Sequence, residues 1–167
     1  TPIMRRVLRA GGALDAFAQS RLYRLPAGTP VEHLRQAVDA VRQAHPMLGA
    51  RLTGEALEVS RQAAGVPVRE LAVPAGLDET AARVWVSDQV TAAAHRLDPR
   101  TGRLCGALLI HGLQADGAPV DAAALIVHHL AVDGVSWRIL GEDLRSAFTA
   151  AQRAVAPALP VPSSSFR

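Results

Sequence analysis

Residues 125–140 read LIVHHLAVDGVSWRIL, and the order of residue types in this stretch decides the fold class. Leu125-Ile126-Val127 reads as an apolar strand; two histidines follow, Asp133-Gly134 turns the chain, and a helix begins. Titratable groups at the end of a buried strand, just before a helix, are where layered α/β sheets present catalytic side chains. Neighbouring strand residues point to opposite faces, so His128 and His129 cannot do the same job: one is expected to face a cleft and the other to pack inside. Asp133 stands where a carboxylate caps a helix N-terminus, accepts backbone N–H groups or pairs with Arg. Gly134 would allow close backbone approach or a positive φ.

Working outward, strands and helices intermix. Residues 16–25 read as extended, stopped by Pro26-Ala27-Gly28. Thr29-Pro30 suggests an N-cap followed by Pro at the first helical position, and Val31, Leu34, Val38 and Val41 form one stripe of a helix running to about Ala44. Short strands are expected over 49–72, with turns at Gly54 and Gly65. A helix from Asp78 to about His95 places Ala82, Val86, Val90, Ala93 and Leu97 on one face. Two apolar strands, Leu104–Leu113 and Ala122–Leu130, are joined by Gln114–Val120, whose Asp116-Gly117 pair suits a hairpin-like turn. The last helix, about Gly134 to Gln152, is expected to turn Val135, Ile139, Leu140, Leu144 and Phe148 inward. The fold class is therefore α+β or α/β layered on one sheet. Residues 1–153 read as one unit, and the Pro- and Ser-rich stretch 154–167 as a connecting segment.

Composition narrows the function classes. The 167 residues are 49% hydrophobic and 20% charged, ordinary globular usage that excludes disorder, and aromatics at 4% leave a core of Ala, Val and Leu. All 18 basic residues are Arg, which lifts the pI to about 10.3 although the net charge is only +3. These arginines are spread thinly among acidic residues, Arg5-Arg6 being the densest cluster, which reads as solvated helix faces and argues against nucleic-acid binding. No apolar run approaches a bilayer span and no signal peptide opens the chain, so a cytoplasmic location without membrane contact is expected. One cysteine, Cys105, excludes an intramolecular disulfide and a Cys-based zinc site, and its place in an apolar strand marks it as packing.

Competing chemistries fit less well. A single buried His is usually a core residue, but a pair followed by Asp-Gly at a strand–helix junction favours function. Two His and one Asp could make a facial metal triad, yet adjacent strand histidines diverge and no further ligand cluster accompanies them, so no metal is expected. No Gly-x-Ser-x-Gly elbow supplies a serine nucleophile. His33, His45, His95 and His111 are scattered and read as structural or solvated.

His128-His129-Leu130-Ala131-Val132-Asp133-Gly134 resembles the HHxxxDG signature of the condensation-domain superfamily of nonribosomal peptide synthetases. The continuation Val135-Ser136-Trp137-Arg138-Ile139 resembles its epimerization branch. Thr1-Pro2-Ile3, His45-Pro46-Met47-Leu48, Leu97-Asp98-Pro99 with Gly102, and Pro160–Phe166 are similar to further motifs of that branch. Met4 and Val7 depart from the pattern, as does Gly49, which stands where the family commonly has an Arg that pairs with the motif aspartate. That departure leaves Asp133 to pair with Arg51 or Arg138, or to act as a helix cap alone.

The resemblance implies the N-terminal one of two lobes, each like chloramphenicol acetyltransferase, with the active tunnel between them. It assigns proton abstraction to His129, with His128 and Asp133 shaping the site. Gly134 counts with Asp133 as a structural element, and Ser136, Trp137 and Arg138 are candidates to support it. A histidine titrating near neutrality suits removal of an α-proton acidified by a thioester, and the helix starting near Gly134 is placed to stabilise an enolate. Inversion needs a second acid/base group, which the resemblance assigns to a glutamate of the second lobe. The substrate would arrive on the phosphopantetheine arm of a peptidyl carrier protein, with no cofactor bound directly. Two other readings stay open: a condensation lobe in which His129 serves an attacking amine, and a degenerate carrier-docking module without turnover.

Overall fold

The computed structural model describes residues 17–59 and 65–160. The motif residues Thr1-Pro2-Ile3, Met4 and Val7, the Arg5-Arg6 cluster, and all of Pro160–Phe166 except Pro160 itself lie outside the described residues. Among the described residues, six strands and three helices follow one another: β1 (Ala18–Pro26), α1 (Val31–Ala44), β2 (Arg51–Thr53), β3 (Ala56–Glu58), β4 (Val68–Ala72), α2 (Glu79–Ala94), β5 (Cys105–Ala115), β6 (Ala118–His128) and α3 (Gly134–Gln152). A mixed four-stranded sheet has the order β1-β6-β5-β4, and β2 and β3 form a separate hairpin. β4 runs parallel to β5, whereas β5–β6 and β6–β1 are antiparallel. The class is α+β, layered, as expected.

The pleat sorts the two central strands into two cores. Cys105, Ala107, Leu109, Ala123, Leu125 and Val127 face one side, where they meet Leu34, Val38 and Val41 of α1 and Trp137, Leu140, Leu144 and Phe148 of α3. Leu108, Ile110, Ala124 and Ile126 face the other side and meet Val86 of α2 with Leu97. Because β5 and β6 lie in the middle of the sheet with helices over both faces, their apolar runs are continuous rather than alternating. The side-chain period of two carries successive residues to opposite cores.

Several local expectations are corrected. The connection between β5 and β6 is not Gln114–Val120 but the pair Asp116-Gly117, with φ of 54° and 74°; two left-handed residues form the tight turn whose twist matches the strands, so pairing continues out to Ala115 and Ala118. Thr29 does not cap α1: its hydroxyl donates to the Pro26 carbonyl and its N–H donates to Asp121, leaving Pro30 as the capping residue with no side-chain bond to the helix. Val135 and Ile139 do not turn inward but are 68% and 46% exposed. The buried stripe of α3 runs Trp137, Leu140, Leu144, Ala147, Phe148 and Ala151, and a residue one step off that stripe is rotated by about 100°. Residues 155–160 carry no helix or strand, and Leu159 packs back against the α1/α3 core.

Gly112 and Gly141 also have structural reasons. Gly112 has φ of 80° at the irregularity where β5 shifts register between Ile110 and Leu113. Gly141 lets α3 approach β1 closely, since a Cβ there would meet the Tyr23 hydroxyl at 3.2 Å. Tyr23 and Gln19 share one face of β1, and Gly141 and Trp137 lie one turn apart on α3. This close approach brings Trp137 against the start of β1.

Candidate functional site

β6 ends at His128, and the chain then leaves the sheet. The His128 backbone N–H donates to the Leu104 carbonyl at 2.8 Å and the ring is fully buried, its Nδ1 accepting the Leu130 N–H at 3.2 Å. His129 is anchored differently. Its backbone N–H donates to the Phe17 carbonyl at 2.8 Å, extending the β1–β6 edge by one bond, and its ring is half-buried, stacked on the Phe17 ring at 4.7 Å between centroids. The two rings therefore part company: His128 enters the protein and His129 stays at its boundary.

The protonation pattern of His129 follows from its partners. Nδ1 lies 2.9 Å from the Val132 carbonyl, which only accepts, so Nδ1 carries the proton. Nε2 lies 3.1 Å from the Gln19 amide nitrogen, which only donates, so Nε2 is the lone-pair nitrogen. Gln19 Oε1 in turn accepts the Trp137 indole N–H at 2.6 Å. Arg21, two residues along β1, places its guanidinium 5.9 Å from the Trp137 ring centroid. A neutral imidazole with Nε2 unprotonated is chemically a general base or an acceptor for a substrate N–H or O–H.

Asp133 is the N-cap of α3. Its Oδ1 accepts the Ser136 backbone N–H at 2.8 Å and the Ser136 hydroxyl at 2.7 Å. The Ser136 hydroxyl first, and then its backbone N–H, hold the carboxyl below its ordinary range, with smaller help from the Val135 N–H and His129, against a small opposing effect of burial. Neither Arg51 nor Arg138 pairs with it: Arg51 donates to the Arg100 carbonyl, and the Arg138 side chain is exposed. Gly134 has no positive φ, and a Cβ there would meet open space, so neither reason expected for a glycine applies within this chain.

The remaining singled-out residues are packing or tethering groups. Cys105 is buried beside Val127, and burial pushes its thiol up to about 12. His45 bonds Asp143 of α3 at 2.6 Å, tying the end of α1 to α3. His111 bridges Asp121 at 2.8 Å and Glu70 at 3.0 Å, on the sheet, away from His129. Leu97-Asp98-Pro99 with Gly102 forms a tight turn in which Asp98 accepts the Arg100 N–H and Gly102 takes φ of 80°. Sequence reasoning missed Gln19 and Phe17 as site residues. Their signal was no more than Phe17 and a polar Gln19 between Ala18 and Ser20 at the start of an extended run, which only pairing with β6 makes meaningful.

No family model matches the chain. The structure superposes on the epimerization domain from the third module of tyrocidine synthetase B with a TM-score of 0.80 at 24% identity, covering 99% of this chain and 37% of that one. The fold is condensation-domain-like. The starter condensation domain of the rhizomide synthetase RzmA superposes with a TM-score of 0.75 at 12% identity over 96% of this chain and 39% of that one. In sequence, the chain is 32% identical over 138 residues, 83% of its length, to the nonribosomal peptide synthetase ungA' of Aspergillus campestris, of which it covers 1%. The chain thus spans well under half of the solved condensation-type chains and a small fraction of its curated relative. Its mixed sheet with helices packed on it is a chloramphenicol-acetyltransferase-like arrangement.

Proposed function

We propose that this chain is the N-terminal lobe of an epimerization-type domain, acting on an aminoacyl or peptidyl thioester carried by the phosphopantetheine arm of a peptidyl carrier protein. The observation that carries this reading is the state of His129: a half-buried ring whose Nδ1–H is committed to Val132 and whose Nε2 bears the lone pair. The proton on the substrate α-carbon passes to Nε2, and the C–H electron pair delocalises onto the thioester oxygen as an enolate. An acid/base group of the second lobe returns a proton to the opposite face, so the net change is inversion with no co-reactant. His128, buried and bonded to backbone, holds the end of β6, and Asp133 with Ser136 starts α3 beside the base.

The test is α-hydrogen exchange in deuterated water on a carrier-bound aminoacyl thioester, with the second lobe supplied. Exchange that His129→Ala abolishes supports the reading, and exchange that survives His129→Ala overturns it. A second reading, a condensation lobe in which Nε2 accepts a proton from an attacking amine, is favoured by the superposition on a starter condensation domain. Peptide-bond formation between two loaded carriers, with no α-hydrogen exchange, would select it.

A further inference from the structure

We propose that Trp137 and Gln19 form a positioning relay that makes Nε2 the proton-accepting nitrogen of His129. The relay deepens the role just given to His129 and rests on that reading for its functional meaning, but its chemistry stands on three contacts.

An indole N–H can only donate, so the Gln19 atom 2.6 Å from Trp137 Nε1 must be the amide oxygen. That fixes the amide's orientation and turns its NH₂ group to His129 Nε2 at 3.1 Å. The opposite orientation would set NH₂ against the indole N–H, donor against donor. A group that only donates demands an acceptor, so Nε2 must hold its lone pair. Val132, at the other ring nitrogen, independently demands a proton on Nδ1. The two ends of the ring therefore specify the same tautomer, and Phe17 stacked on the ring face restrains its rotation.

The relay also places the substrate. The lone pair that would take the α-proton is occupied by the Gln19 amide when nothing else is present, so the substrate C–H must enter where that amide stands. Once Nε2 is protonated, the Gln19 amide faces another donor and cannot turn over without breaking its bond to Trp137. Neither residue is placed to exchange the α-proton itself, so both are positioning residues.

The test is nitrogen NMR of the 167-residue chain labelled in histidine, at about pH 9, above the ordinary histidine range. For the wild type, the expected pattern has His129 Nε2 unprotonated and Nδ1 protonated; the reverse pattern overturns the proposal. Gln19→Glu offers an acceptor where an NH₂ group stood, so Nε2 is expected to gain a proton, and in the presence of the second lobe α-hydrogen exchange should fall about a hundredfold or more with little change in KM. A Gln19→Glu chain that is folded by circular dichroism and keeps the wild-type nitrogen pattern overturns the relay. Trp137→Phe provides a second variant should Gln19→Glu fail to fold: freed from the indole, Gln19 can flip, and partial protonation of Nε2 is expected, whereas an unchanged pattern removes Trp137 from the relay. The nitrogen pattern needs no turnover. Its failure therefore sinks the relay, while absent exchange with the expected pattern sinks only the role of His129.

Discussion

Gln19 and His129, 110 residues apart in sequence, share a hydrogen bond of 3.1 Å. It exists because β1 pairs with β6 in a register that sets Gln19 opposite Val127, so His129, two residues beyond Val127, lies on the same side of the sheet as the diagonal neighbour of Gln19. The site is thus built by an edge strand from one end of the described chain and a central strand from the other.

Removing the ring of His129 should cost activity without costing the fold. On the proposed reading, His129→Ala is expected to abolish α-hydrogen exchange when a second lobe is supplied while leaving the melting temperature nearly unchanged, because the ring lies at the boundary of the protein rather than in either core. Calorimetry alongside the exchange assay checks both halves of this statement.

The 167-residue chain alone should not invert a thioester at a useful rate. On the proposed reading it offers a base to one face of the α-carbon only, and without the wall of a second lobe the reacting atoms would be misplaced, where an error of about 1 Å can cost roughly a hundredfold. Deuterium incorporation should be near background for the chain by itself and should return when the second lobe is added in trans. Robust inversion by the isolated chain would show that the two-lobe mechanism is wrong.

Asp133→Ala should destabilise the start of α3 by about 1 kcal/mol, the usual worth of an N-cap, and Asp133→Asn by less, since Asn caps comparably. The Asp133 carboxyl is held below its ordinary range in the folded chain. Its contribution is therefore fully present above the unfolded carboxylate value of about 3.9 and is lost as pH falls through the lower folded value. Urea denaturation of wild type and Asp133→Ala from neutral to acid pH should show the difference between them narrowing at the acid end.

His111 should impose the opposite dependence. Burial opposes its charge, but the hydrogen bonds to Asp121 and Glu70, reinforced by their negative charges, outweigh it and hold the ring above the ordinary histidine range. A raised folded value stabilises fully below the unfolded value of about 6.5 and loses that contribution as pH rises through the folded value. Melting temperatures for His111→Gln and wild type should differ most in mild acid and converge in alkali. A constant difference across this range would remove the charged bridge.

Leu125 is buried under α1 and α3 at the centre of the sheet. Leu125→Ala is expected to cost about 2–5 kcal/mol by guanidinium denaturation, the range for a deleted core leucine and the cavity it leaves. Leu22→Ala, on the exposed edge strand, should change stability by less than about 0.5 kcal/mol.

Much of the local structure was legible because it depends on neighbours in sequence. The stripe of Val31, Leu34, Val38 and Val41 repeats with the helical period, and the helix spans Val31–Ala44 as read. The run ending at His128-His129, followed by Asp133-Gly134, fixed the order strand, turn, helix, and α3 begins at Gly134. Asp116-Gly117 was readable as a turn, although its tightness was not, because strand pairing across it decides how far the ladder extends. Val135 and Ile139 were misassigned for a related reason. An apolar side chain at helical spacing says that a stripe exists, but which side of the helix is covered depends on what packs there, and Trp137 is the residue that meets the sheet.

By itself, then, the sequence determined the element order, the layered α+β class, and the junction where two histidines leave a strand, since periodicity, capping and turn chemistry act over a few residues. Only the tertiary structure decided that β1 lies beside β6, that Gly141 lets α3 close onto Tyr23, and that Gln19 and Trp137 thereby specify the tautomer of His129. The same holds for the bridge from Glu70 through His111 to Asp121, which joins three strands. These contacts depend on strand order and register across long separations, which no local preference encodes, and a hydrogen bond acquires its direction only when donor and acceptor are brought face to face.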